Sequence, residues 1–176
     1  MQPRIVVTGD RNGKSEVVSD RSKSSLDIPL MPGSSYYPVW GSDQVPTLPS
    51  DGTPTPAPGY FPPAGGFRFG FFTLGPGTLT LPEGFDVDSA AAQINEQIPG
   101  LLDVMEPDAP GMHTSDTVDV DFVLSGEVFV EMDDGAEVQL HAGDVIVQNG
   151  TRHAWRNRSD QPCVLVIAVV GAQRNV

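Results

Sequence analysis

Apolar residues in this chain recur at every second position over short runs, the spacing of half-buried β-strands. Arg4-Ile-Val-Val-Thr8 and Ser15-Glu-Val-Val-Ser19 flank Asn12-Gly13, a pair that supplies the positive backbone angles of a tight hairpin turn. Further strands are predicted at Tyr36–Trp40, at Arg68–Leu74 and at Thr78–Leu81. A second hairpin pairs Glu127–Met132 with Ala136–Leu140 across the turn Asp133-Asp134-Gly135. Val118 to Val130, Val138 to Leu140, Val145 to Val147 and Val164 to Val170 complete an all-β pattern. One segment departs from it. Between Ser89 and Leu102, Ala92, Ile94, Ile98, Leu101 and Leu102 make an apolar stripe at helical spacing, with Asp88 or Ser89 able to cap its start.

Composition separates the ends of the chain. Gly41 to Gly66 is dense in Pro, Gly, Ser and Thr, and such a stretch builds no regular ladder, because proline lacks the donor. Residues 1–66 therefore read as a hairpin followed by an extended arm that packs on the rest, and residues 67–176 as the main β unit. At 176 residues, with no internal repeat, one domain is expected. Tyr36, Tyr37, Trp40, Tyr60 and Phe61 in or near the arm need burial, so a homodimer is expected. The net charge of −13 repels phosphates, which excludes nucleic acid and anionic membrane as natural partners. Cys163, the single cysteine, rules out an intrachain disulfide and lies in an apolar run where a small buried side chain fits. With no basic flank before an apolar stretch at the N-terminus, a cytoplasmic location is the expectation.

The chemistry concentrates in His113-Thr-Ser-Asp-Thr-Val-Asp119 and Gly150-Thr-Arg-His153. Two imidazoles and one carboxylate suffice for a facial metal site with open positions, suited to iron, manganese or zinc. Asp119 lies six positions after His113, so both share one face if the strand is continuous. Asp121 has the same parity; it either points inward beside Asp119 or is turned by strand twist towards solvent or Arg152. Arg152 has the fork to hold a substrate carboxylate or to pair with a structural acid. Gln148 and Trp155 are placed to line a pocket, and His141 lies in a turn, exposed.

The same residues carry a family resemblance. His113, Ser115, Asp119 and Gly126 follow the order of a motif that runs His-x-His, three or four residues, Glu, six residues, Gly. Gly143, Gly150, His153 and Asn157 follow a second motif, with Gln148 where it carries Pro. Over residues 110–172 the chain resembles the cupin superfamily. The resemblance implies a single cupin-type β-barrel or jelly roll, here with an N-terminal extended arm and one short helical insertion covering a barrel mouth. It also implies His113, Asp119 and His153 as metal ligands and catalytic groups, and Asn157 as a turn-former. The sequence departs from the motif at Ser115, a poor ligand, and at Asp119, shorter by one methylene than the Glu it replaces.

Three functions are compatible with these residues. The first is a small-molecule enzyme acting on an organic acid or other metabolite by decarboxylation, dehydration or isomerisation, with a divalent metal or with the His and Asp side chains alone. The second is a non-catalytic cupin that binds a small ligand. The third, from the resemblance, is a metal-dependent dioxygenase. Arg152, Gln148, Trp155 and Asp121 are the substrate-binding candidates in each case. Neither a nucleophile elbow, nor a phosphate loop, nor a paired-cysteine zinc site is encoded.

Overall fold

The computed structural model describes residues 2–77 and 81–175. Eleven strands and one helix follow each other as β1 (Arg4–Arg11), β2 (Lys14–Ser22), β3 (Leu26–Asp27), β4 (Ser35–Ser42), β5 (Phe67–Leu74), α1 (Val87–Gln97), β6 (Thr117–Ser125), β7 (Glu127–Glu131), β8 (Glu137–His141), β9 (Val145–Asn149), β10 (Ala154–Arg156) and β11 (Cys163–Gly171). The predicted strand at Thr78–Leu81 falls on residues 78–80, outside the described ones.

The first hairpin forms as its turn demands, with Asn12 at φ 57° and Gly13 at φ 76°. It makes a two-stranded sheet of its own. The remaining strands make a six-stranded sheet, β3-β4-β5-β11-β6-β9, and a three-stranded one, β10-β7-β8. Every pairing is antiparallel. This is an all-β, cupin-like fold, although the described strands stop short of a closed barrel. Residues 26–42, on the N-terminal side of the arm, supply β3 and β4 to the large sheet, so they complete the unit that the C-terminal strands begin.

The core lies between the two sheets. Val123, Leu165, Ile167 and Val169 of the large sheet join Val128, Val130 and Leu140 of the small one. Helix α1 closes one side with Ile94, fully buried, followed by Ile98 and Leu101. Asp86 caps it by accepting from the Ser89 backbone N–H at 3.0 Å, two residues ahead of the predicted cap. The helix stops at Gln97 rather than Leu102, because Pro99 disfavours helical angles at Ile98.

Tyr36 and Tyr37 are buried within the chain itself. Tyr60 and Phe61 at the end of the arm pack on the core cluster. Four of the five aromatic residues that motivated a homodimer therefore pack within the chain, while Trp40 stays half-buried. The outward face of the large sheet is apolar instead: Val120, Phe122, Leu124, Val145, Val147 and Val170 are all more than a third exposed.

Candidate functional site

Two imidazoles meet where the ends of the sheets approach. His113 and His153 face each other across an isolated antiparallel bridge, each backbone N–H donating to the other's carbonyl at 3.0 Å. Their ring centroids are 4.3 Å apart. Each Nδ1 points at a carbonyl two residues back, Gly111 for His113 (3.1 Å) and Thr151 for His153 (2.9 Å). A carbonyl only accepts, so Nδ1 carries the proton in both rings and both Nε2 atoms keep a free lone pair. Burial pushes His153 down to about 4, and His113 pushes it further in the same direction. Burial also lowers His113, against the opposing pull of the Gly111 carbonyl and Glu106. Two neutral bases result, because a buried imidazolium next to another would be poorly solvated.

A carboxyl pair forms the second cluster. Thr117, Asp119, Asp121 and Val123 alternate inward along β6 and are all buried. In register, Asp119 lies between Val169 and Gln148, and Asp121 between Ile167 and Ile146. Burial raises Asp119 to about 6, while the Thr117 hydroxyl holds it down. Burial and then the charge of Asp119 push Asp121 up to about 8. Tyr60 joins this cluster: its hydroxyl is held protonated by burial and by Tyr36, Asp121 and Asp119. Asp121 thus takes the inward of the two orientations open to it in the sequence.

Gln148 and Asp119 sit directly opposite one another with unused capacity. The Gln148 Oε1 accepts from the Thr151 hydroxyl at 2.9 Å, which fixes the amide. Its Nε2 and the Asp119 Oδ1 are buried without a partner. Each such group costs about 1–3 kcal/mol, so a donor and an acceptor left side by side mark a place for a bound polar group.

The donor set does not fit a metal ion. Among the described residues, no three His, Cys, Asp or Glu side chains come together to hold one. His113, Asp119 and His153 are not among any such group, although His113, Ser115, Thr117 and Asp119 all stay buried on one parity across a bend at Asp116 that precedes β6. Ser115, in the place of the second motif histidine, spends its hydroxyl on Thr117 at 2.7 Å.

Arg152 is also placed differently from a substrate clamp. Its guanidinium grips Glu106 with two bonds of 2.7 Å and reaches Asp133 at 2.9 Å, on the surface side. Trp155 stands edge-on to His153 with centroids 6.0 Å apart. It also borders a cavity of about 480 Å³ shared with Met31, Leu74 and Arg158. Asn157 ties its turn by donating to the Leu74 and Gln161 carbonyls. His141 is exposed near Glu127, and burial pushes the Cys163 thiol up to about 11, as befits a packing residue. Sequence reasoning missed Tyr60, Phe61 and Glu106. A line of rings runs Tyr36, Tyr60, Phe61, His113, His153, Trp155, with successive centroids 4.3–6.4 Å apart. The aromatic pair after Pro58-Gly59 was the available signal for its middle.

With this geometry in place, comparison with known proteins is consistent. Residues 102–170 match the family described as Cupin domain. Over 59 residues it is 42% identical to phomopsin biosynthesis cluster protein C' of Diaporthe leptostromiformis, covering 34% of this chain and 31% of that protein. Over 50 residues it is 44% identical to oryzines biosynthesis cluster protein J of Aspergillus oryzae, covering 28% of each. The chain thus spans about a third of the length of the curated relatives it matches. Among solved structures, the Cnp3 cupin domain of Schizosaccharomyces pombe is 11% identical, with a TM-score of 0.48 over 97% of this chain and 87% of that one. Among the described residues no helix is long and apolar enough to cross a membrane.

Proposed function

We propose that this chain is a small-molecule cupin enzyme that moves protons on an organic metabolite, by isomerisation, dehydration or decarboxylation, using its own side chains. The observation that carries the reading is the facing imidazole pair, buried and neutral, with both Nε2 lone pairs free. At neutral pH His153 is a base in waiting and Asp121 still holds its proton. A neutral base and a protonated acid in one protein interior are what a proton shift between two atoms of one substrate requires. In an isomerisation, the Nε2 of His153 takes a proton from a carbon next to a carbonyl, and Asp121 delivers one to the carbonyl oxygen as electron density arrives there. Tyr60 and the Gln148 amide are the groups that orient the molecule. Trp155 borders both His153 and the cavity of about 480 Å³.

The relatives' names, which place them in phomopsin and oryzines biosynthesis clusters, support a role in building a small molecule. Incubating the protein in D2O with a panel of enolisable acids, ketones and amides tests the reading. Deuterium should enter at the carbon next to the carbonyl, and His153→Ala should abolish it; no exchange in any member of a broad panel argues against proton abstraction. The unpartnered pair of Asp119 Oδ1 and Gln148 Nε2 favours a second reading, a binding cupin that holds its ligand unchanged. That outcome appears in the same experiment as tight retention without exchange.

A further inference from the structure

A second cavity lies away from the histidines. It measures about 730 Å³ and is walled by the first hairpin, by β4 and by the proline-rich arm. That volume is in the range of small-molecule sites, about 300–1,000 Å³. Its walls are fixed. The Asp10 N–H donates to the Ser50 carbonyl at 2.7 Å, which pins the arm across the hairpin. The arm runs so close that a methyl group at Gly9 would lie 2.3 Å from the Asp51 carbonyl oxygen, and one at Gly52 would lie 2.5 Å from Val18. Prolines 54, 56 and 58 then keep the strap extended. The floor is apolar, with Val7, Val18, Tyr36 and Trp40.

The charge around this cavity is opposite to that of the protein. Arg4, Arg68, Arg152, Arg156, Arg158 and Arg174 each pair with an acid. Arg11, Lys14, Arg21 and Lys23 do not, among the described residues, although the chain offers 23 acidic side chains. Three of these four, Arg11, Arg21 and Lys23, line the cavity. Its single acidic lining residue is Asp51, whose carboxylate accepts from the Thr53 N–H at 2.8 Å. The Arg68 guanidinium is consumed by Asp43 and by the Gly59, Ser42 and Phe67 carbonyls. Lys23 donates to the Pro38 carbonyl at 3.5 Å and Arg11 draws on the Asp51 carboxylate. Arg11, Arg21 and Lys23 over an apolar floor still outnumber that one acid. In a molecule of net charge −13 they are a local attractor for an anion with a hydrocarbon body.

We infer that the cavity beneath the proline-rich arm is a binding site for an amphipathic carboxylate, its head held by Arg11, Arg21 and Lys23 and its apolar body laid against Val7, Val18 and Trp40. This site is separate from the histidine site. Tyr36 lines it on one side and packs edge-on against Tyr60 on the other, at 5.0 Å between centroids. The full chain would be titrated calorimetrically with sodium decanoate, decanol and decylammonium. Decanoate should bind saturably, one per chain, at least about tenfold tighter than decylammonium, and added salt should weaken only decanoate. The triple variant Arg11→Gln, Arg21→Gln, Lys23→Gln should weaken decanoate about tenfold and leave decanol unchanged. Lys14→Gln, at the hairpin tip, and His153→Ala should leave all three unchanged. Three results overturn the inference: no saturable binding of decanoate, equal affinity for decanoate and decylammonium, or a loss from Lys14→Gln as large as that from Arg21→Gln. The substituted arginines and lysines are exposed, and an unchanged circular dichroism spectrum confirms that each variant is folded.

Discussion

Replacing Asp121 with asparagine should change how stability depends on pH in a way that no surface carboxylate could. The side chain is buried between Ile167 and Ile146, and its carboxyl is pushed up to about 8 from an ordinary 3.8 by burial and by Asp119. Between those values the folded protein holds a proton that the unfolded chain has released. The folded state then binds more protons than the unfolded one, so stability falls as pH rises, by about 1.4 kcal/mol per pH unit for one group. The contribution is whole below 3.8 and is lost as pH climbs through about 8. His153 acts with the opposite sign. Its pKa is depressed from 6.5 to about 4, so its contribution is present above 6.5 and lost as pH falls through about 4. Asp119, raised to about 6, has finished its own loss by then. From about pH 6.5 to about pH 8 Asp121 is left alone among these groups, and the native protein should lose roughly 1.5–2 kcal/mol across that window. Urea unfolding followed by tryptophan fluorescence measures this directly. The Asp121→Asn protein should be flat over the same window. A flat native curve, or the same slope in both proteins, would refute the buried, protonated carboxyl.

Other consequences follow from the placement of single residues. Ser115→His adds a third imidazole beside the pair, so elemental analysis after incubation with zinc should find about one ion per chain in the variant and far less in the native protein; a full equivalent in the native protein would overturn the fit argument. Arg152→Gln removes an ion pair with Glu106 and Asp133 that water screens, so it should leave the urea midpoint nearly unmoved and KM unchanged. A raised KM would return Arg152 to the substrate. On the outer face of the large sheet, Phe71, Val166, Phe122 and Val145 form one apolar row and Phe69, Ala168, Val120 and Val147 the next. Four strands about 4.8 Å apart without a charge on these rows suit a second copy of the same face despite the overall negative charge. We therefore expect a homodimer in light scattering, converted to monomer by Val147→Lys; a native monomer at high micromolar concentration removes the idea.

The sequence made the strands legible because period-two alternation survives wherever one face is buried. It placed β1, β2, β4, β5 and β11 to within a few residues, and it located both histidines, whose rings do meet. Alternation holds even across the bend at Asp116, since His113, Ser115, Thr117 and Asp119 are all buried. It could not say how close the rings come to the carboxyl, because parity sets a face and not a distance. The outward row of β6, Val120, Phe122 and Leu124, shows the complementary problem. Its hydrophobicity reads as core, while the structure leaves it exposed, because a strand apolar on both faces gives no indication of which side meets water. Arg152 was ambiguous for a different reason: its partner Glu106 lies 46 residues away in a connecting loop.

We propose that the interior of this protein transforms a small molecule by proton transfer. An untargeted comparison of a metabolite extract before and after incubation with the purified protein, read by mass spectrometry beside the His153→Ala variant, tests it most directly. The account predicts that one compound is consumed while its isomer, or its product of water or carbon dioxide loss, appears, with no change in the variant. A compound that stays bound to the native protein and is recovered chemically unchanged, with no product formed, would contradict it.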